Sequence, residues 1–265
     1  MATRIALGLE YDGSRFLGWQ TQPGGGTVQD ALESALSAVA DRPVSVTCAG
    51  RTDRGVHALA QVVHFDTEAE RPDSAWVRGV NALLPEAVAV LWSQRVSPDF
   101  HARYAARSRT YRYLLVNRPV RPALAARYAG WYHAPLEIAP MREAAAQLLG
   151  EHDFSAFRAA ECQAKSPVRT LHSIDIERAG ERIEFILRAN AWLQHMVRNI
   201  VGTLVYVGKR KHPPQWTKQL LASRDRALAA PTFGAEGLYL EAVEYEPQWN
   251  IPAVEIQKTV LPVES

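Results

Sequence analysis

The stretch PVSVTCAGRTDRGVHALAQVVHFDT, Pro43–Thr67, decides the fold. It holds two strand-like segments in direct succession, with a charged loop and no helix between them. In PVSVTCAG, Val44, Val46 and Cys48 share one phase of a two-residue period. In QVVHFDT, Val63 and Phe65 oppose Val62 and His64. Upstream, RIALGLEYD sets Ile5, Leu7 and Leu9 on one face of a strand. A Gly-rich loop, DGSRFLGWQTQPGGG, follows it. Thr27 then caps a helix whose apolar stripe is Val28, Leu32, Ala35, Leu36 and Val39. Downstream, residues 73–84 read as a helix with Trp76, Val80, Leu83 and Leu84 on one side, and AVAVLWSQRV as a strand. The order is strand, helix, strand, strand, helix, strand. That is the split βαβ, ferredoxin-like arrangement: a mainly antiparallel sheet with helices on one face.

The second half repeats this order more loosely. SRTYRYLLVN reads as a strand and PMREAAAQLL as a helix. RTLHSIDIERAG and ERIEFILRAN form a hairpin turning at Ala179–Gly180. QHMVRNIVGTLVYVG and PPQWTKQLLASR are helices, the second opened by proline, and GLYLEAVEY is a closing strand. The repetition lies in the element order and not in the residues. It predicts an α/β (α+β) fold of two similar lobes, residues 1–105 and 106–265, with a cleft between them as the place to look for a ligand. PVRPALAARY reads as a connecting loop, and the tail QWNIPAVEIQKTVLPVES has no period that assigns it.

The composition excludes several classes. With 265 residues, 47% of them hydrophobic, the chain can bury a large core. A net charge of +2 gives no global field to steer a polyanion, so a nucleic-acid surface must be a local patch. Two isolated cysteines, Cys48 and Cys162, fit neither a zinc site nor a disulfide framework. No apolar signal core or membrane-length segment is present, so a soluble cytoplasmic protein is expected. QPGGGT lacks the Lys-Ser/Thr of a phosphate loop.

Three features carry chemistry. In AGRTDRGVHA, residues 49–58, Asp53 before Arg54-Gly55 fits a tight turn in which an aspartate bonds its own backbone. The crowding of Arg51, Arg54 and His57 around it also suits an ionised carboxylate presented among cations that hold phosphates. Second, the helix of MVRNIVGTLVYVG is apolar nearly all round and should be buried. Arg198 in its first turns then needs an acid, a wet cleft or a route out of the helix end, and Gly202 suggests close approach of another backbone. Third, FHARYAARSRTYRYLLVNRPVRPALAARY interleaves seven arginines with Phe100, Tyr104, Tyr111 and Tyr113. That pattern suits RNA, phosphates taking the charge and bases the rings; salt-bridged surface arginines over core tyrosines would give the same pattern. One tyrosine of the 111/113 pair is expected in the core and one outside.

With YDGSRFLGWQ before AGRTDRGVHA, and MVRNIVGTL and GLYL after it, the chain resembles the TruA family of tRNA pseudouridine synthases over about residues 4–245. The resemblance implies isomerisation of uridine to pseudouridine at positions 38, 39 and 40 of the tRNA anticodon arm, without metal or organic cofactor, by a homodimer of two-lobed α/β subunits. It makes Asp53 the catalytic aspartate, Tyr111 the tyrosine that packs on the target base, Arg198 the arginine paired with the aspartate and Arg51 the arginine tied to extruding the base. It makes Phe100, His101, Arg103 and Lys165, in FHARY and ECQAKS, contacts to the tRNA. Arg54 departs from the small residue usual in bacterial members.

Overall fold

The computed structural model describes residues 2–252. These divide into two compact units: the residues up to Arg107 together with those from Tyr239 on, and Ser108–Leu238.

In the first unit β1 (Thr3–Tyr11) lies between β3 (His57–Thr67) and β4 (Val88–Val96), antiparallel to both. The other edge of β3 is shared. β2 (Thr47–Cys48) pairs antiparallel near Val63, and β10 (Leu238–Tyr245) pairs parallel at His57 and Ala58. The order β4-β1-β3-β2 is the split βαβ order. Helix α1 (Val28–Ala40) starts in a full capping box. The Thr27 hydroxyl accepts from the Asp30 N–H, and the Asp30 carboxylate accepts from the Thr27 N–H. Its Leu32, Ala35 and Leu36 are buried, as are Ile5, Leu7, Leu9, Val63 and Phe65 on the strands. Each fully buried Leu, Ile, Val or Phe contributes about 1.5–3 kcal/mol.

Two local expectations need correction. Val44, Val46 and Cys48 are all buried, but only Thr47–Cys48 pairs as strand. The N–H groups of Val44 and Val46 are taken by the Ser37 hydroxyl and the Glu33 carboxylate of α1, which leaves no donors for a neighbouring strand. The second helix contains a π turn at Ala75–Gly79. Its extra residue rotates everything after it, so Trp76 and Val80 are buried while Leu83 is exposed.

The sheet also has a second buried face, built on Ala6, Val62 and His64. Over it folds the segment 98–105, led by Phe100, together with Tyr245 at the end of β10 and Trp249 just beyond it. Arg4 ties this layer down. Its guanidinium donates two bonds to Asp66, at 2.8 and 2.7 Å, and further bonds to the carbonyls of Pro98 and Phe100. The first residues of the unassigned tail thus pack on the first unit; residues 253–265 lie outside the described ones.

In the second unit β5 (Ala106–Asn117) pairs antiparallel with β9 (Arg182–Ala189), β9 with β8 (Val168–Ala179), and β8 with β7 (Gly150–Asp153). A short β6 (Gly130–Tyr132) runs parallel to β5. The β8–β9 turn falls at Gly180–Glu181, one residue later than expected, because Ala179 still pairs with Arg182. Helices α2 (Ile138–Ala146), α3 (Met196–Gly208) and α4 (Trp216–Ser223) complete the unit. α3 is buried on nearly every side, with Arg198 and Tyr206 among its few part-exposed residues. Gly202 lets another backbone approach: a Cβ there would lie 2.4 Å from the Pro231 carbonyl oxygen.

Gly202→Ala is therefore expected to destabilise the protein by about 1–3 kcal/mol, read as a lower unfolding midpoint in urea. A second prediction concerns His64, whose pKa burial, helped by the charges of Arg4 and His101, lowers to about 4. Its Nδ1 accepts the Ala102 N–H at 3.1 Å, which needs the neutral ring. The unfolded chain binds this proton at about pH 6.5 and the folded chain only at about 4, so stability present above 6.5 is lost as pH falls toward 4. His64→Gln keeps an acceptor and cannot titrate. The slope of unfolding midpoint against pH between 6.5 and 4 should be shallower in the variant than in the parent.

Candidate functional site

Asp53 sits half-buried in the connection between β2 and β3, and the loop around it is held from several sides. Its carbonyl accepts the Val56 N–H at 3.1 Å, closing a turn in which Gly55 supplies the left-handed residue at φ +82°. The Thr52 carbonyl accepts the Trp19 N–H at 2.9 Å, and the Thr52 hydroxyl is 2.8 Å from that of Tyr11. The Gln61 side chain brackets Gly50, donating to its carbonyl at 2.6 Å and accepting its N–H at 3.3 Å. Gly18, at φ +106°, lies so close that a Cβ would stand 3.1 Å from the Arg54 nitrogen and the Thr52 oxygen. The Gly-rich segment before α1 is therefore a brace for the aspartate loop. Arg51 and Arg54 are exposed on either side of Asp53. His57 is buried, its Nδ1 accepting the Gly13 N–H at 3.2 Å and its ring stacked on Tyr239 at 4.7 Å.

In the same unit the turn Phe100–Tyr104 is presented from the second face of the sheet. Phe100 is fully buried among His64, Tyr245 and Trp249. Both backbone groups of Ala102 are held by side chains: the N–H by His64 and the carbonyl by the Tyr245 hydroxyl, at 2.7 Å. His101 Nδ1 accepts the N–H groups of Arg103 and Tyr104, and burial, with help from Arg4 and Arg103, lowers its pKa. Arg103 is exposed and lies over the Tyr104 ring, which is itself 75% exposed. Cation, imidazole and phenol thus form one outward surface on a fixed turn.

In the second unit, Tyr111 and Tyr113 are both buried, contrary to the expected split. Their shared strand phase puts them on one face, where Tyr111 meets Trp192 edge-on at 5.7 Å and Tyr113 meets Phe185 and Phe233. Arg198 Nε donates to the Phe233 carbonyl at 2.8 Å, and Tyr113 donates to the next carbonyl, Gly234, at 3.0 Å. The segment at 233–234 therefore links β5 to the start of α3. Lys165 is exposed on a loop pinned from beneath by Arg158, which donates to the carbonyls of Cys162 and Ala164. Much of the arginine series is internally paired: Arg107 with Glu246, Arg112 with Glu184 and Arg118 with Glu181.

Arg51 and Asp53 thus share one loop, and Phe100, His101 and Arg103 one turn, in the first unit. Tyr111, Arg198 and Lys165 belong to the second. The braces Tyr11, Gln61, His64 and Tyr245 were not legible as site residues. Their signal is ordinary strand phase, and only the fold turns them toward a loop. Tyr104 stood in the aromatic series and becomes notable through its exposure. Among the described residues, no group of three or more His, Cys, Asp or Glu is placed to hold a metal ion, and no helix is long and apolar enough to cross a membrane.

A family model for tRNA pseudouridine synthase matches residues 9–105 and 144–246. The first stretch contains Arg51, Asp53 and the Phe100–Tyr104 turn; the second contains Lys165 and Arg198. Among curated proteins, the tRNA pseudouridine synthase A of Dechloromonas aromatica is 59% identical over 249 residues, spanning 94% of this chain and 95% of its own. That of Herminiimonas arsenicoxydans is 57% identical over 258 residues, spanning 96% and 94%. That of Methylobacillus flagellatus is 58% identical over 252 residues, spanning 95% and 97%. Similarity of this extent, running through the aspartate loop and the α3 arginine alike, makes the chain a member of the tRNA pseudouridine synthase A family and an RNA-modifying isomerase.

Proposed function

We propose that the protein converts uridine to pseudouridine at positions 38, 39 and 40 of the tRNA anticodon arm, with Asp53 as its catalytic carboxylate. The observation that carries this reading is the bracing of Thr52 and the Thr52–Asp53 backbone by Tyr11, Trp19 and Gly18, which holds a half-buried carboxylate between two exposed arginines.

The reaction breaks the C1′–N1 bond, rotates the uracil and joins C5 to C1′. The C5 proton leaves and N1 gains one, so atoms and charge balance with no redox partner or group donor. That chemistry asks for neither metal nor organic cofactor. A stacked uridine is out of reach and must be extruded, at a cost of a few kcal/mol. Arg51 stabilises the distorted backbone at the mouth of the loop. Asp53 then attacks C1′ or C6, or removes the C2′ proton; these routes share an ionised, well-aimed carboxylate. Arg198 holds that carboxylate in its charged form and fixes its rotamer, the guanidinium itself steadied by the Phe233 carbonyl. Tyr111 packs on the detached base while it turns.

His101, Arg103 and Lys165 meet the tRNA backbone and bases, and Phe100 acts from below as the anchor of its turn. The two units are read as copies of one split βαβ plan, with β5-β9-β8 answering to β1-β3-β2. The working form is a cytoplasmic homodimer, which sedimentation velocity checks directly.

The test uses tRNA labelled with tritium at uridine C5. The wild-type protein should release tritium while leaving the strand intact and its mass otherwise unchanged. Asp53→Asn should lower release by several orders of magnitude with tRNA affinity nearly unaltered. Loss of binding together with turnover would make Asp53 structural, and a cut strand or free uracil would make the enzyme something else. Arg198→Lys should depress turnover more than affinity, because an ammonium cannot reproduce the planar fork.

A further inference from the structure

The end of α3 carries a second cationic and aromatic surface, distinct in sequence from every residue assigned above. His212 and Trp216 stack as a pair, and Tyr206 lies near-parallel to both, 6.4 Å from Trp216. His212 lies 3.8 Å from Trp216 and 6.3 Å from Tyr206, centroid to centroid, with planes tilted by 17° and 10°. Two ammonium groups share the Tyr206 ring: Lys209 Nζ at 3.9 Å and Lys211 Nζ at 4.5 Å from its centroid. Lys209 also stands 5.4 Å from the ring of Tyr132. The residue between the lysines, Arg210, is left-handed at φ +63°, and its charge is already matched by Glu137.

The arrangement is electrostatically incomplete. Two like charges within about 8 Å of each other repel. Neither ammonium has a carboxylate at ion-pair distance among the described residues. The tyrosine face offsets part of this through its ring quadrupole. Burial, reinforced by both lysines, lowers the pKa of His212 and so disfavours a third positive charge on this face. What the surface lacks is an anion with more than one charge in a row.

We infer that this face binds the sugar–phosphate backbone of the substrate tRNA, the two lysines neutralising neighbouring phosphates and the half-buried Tyr206 and His212 rings, backed by the buried Trp216, lining the contact. A polyanion is the occupant the chemistry favours. Lysines act as point charges toward phosphates, and rings beside them are the usual companions of RNA. The family's substrate supplies that polyanion. The inference rests on the tRNA substrate and not on the assignment of Asp53.

The experiment is equilibrium binding of an unmodified tRNA transcript, by fluorescence anisotropy over a series of salt concentrations. It compares the wild-type protein, Lys209→Gln/Lys211→Gln, Lys211→Gln alone and Lys209→Arg/Lys211→Arg. Every phosphate left without its lysine should flatten the plot of log affinity against log salt by about 0.7–0.9, so the double Gln variant should be shallower by about 1.4 to 1.8. Its affinity near 0.1 M salt should fall about tenfold. Lys211 is exposed, so its single substitution leaves the core alone and should give about half the change in slope. The double Arg variant should keep the wild-type slope. Equal slopes and affinities in all four proteins would overturn the proposal. So would an unchanged slope accompanied by an altered sedimentation coefficient, which would make the face a contact between protein copies.

Discussion

The peptide between Thr52 and Asp53 has almost no freedom of its own. Its carbonyl is bound by the Trp19 N–H, the neighbouring hydroxyl by Tyr11, and Gly18 packs closely against it beside Trp19. None of these groups is chemically reactive. They convert a loop, ordinarily the most mobile kind of element, into something with the stiffness of the sheet that flanks it. A carboxylate useful to a bond-breaking reaction must be aimed before the substrate arrives, since displacements of an ångström are costly. The Gly-rich stretch between β1 and α1, which looks like a phosphate cradle without its lysine, instead holds the backbone that carries Asp53.

The Phe100–Tyr104 turn follows the same logic with different parts. Here the anchor is aromatic and the ties are polar: Phe100 below, His64 on the N–H of Ala102, Tyr245 on its carbonyl, and Arg4 on the carbonyls of Pro98 and Phe100. A buried neutral histidine as acceptor makes this turn sensitive to acid. Two loops with separate supports can tolerate change independently, since sites with no shared partners are close to additive.

The sequence was most legible where a period met an unambiguous partner. Ile5, Leu7, Leu9 and the Thr27 cap read directly, because strand alternation and capping are local. Gly202 also read correctly, since a glycine amid bulky apolar neighbours in a buried helix has few other reasons to be there. Legibility failed where a distant group overrode local pattern. Glu33 and Ser37 took the donors that would have extended β2. The π turn before Val80 shifted the phase that placed Leu83 inside. Tyr111 and Tyr113 are both buried because their strand face meets Trp192, Phe185 and Phe233, none of which is near them in sequence. At the site, the charged loop announced itself and its braces did not. Charge density is visible in a string of letters, whereas a tyrosine hydroxyl reaching a threonine is visible only after folding.

The route of the chain has a consequence for how the protein is made. Residues from Tyr239 on join the first unit, after more than a hundred residues of the second have intervened. A ribosome therefore delivers β1 to β4 long before it delivers Tyr245 and Trp249, and the nascent first unit must wait with Phe100 and His64 uncovered. Domains usually mature in the order of their synthesis. Here the earlier-born unit is finished last, so a nascent chain stalled short of β10 cannot carry a settled Phe100–Tyr104 turn.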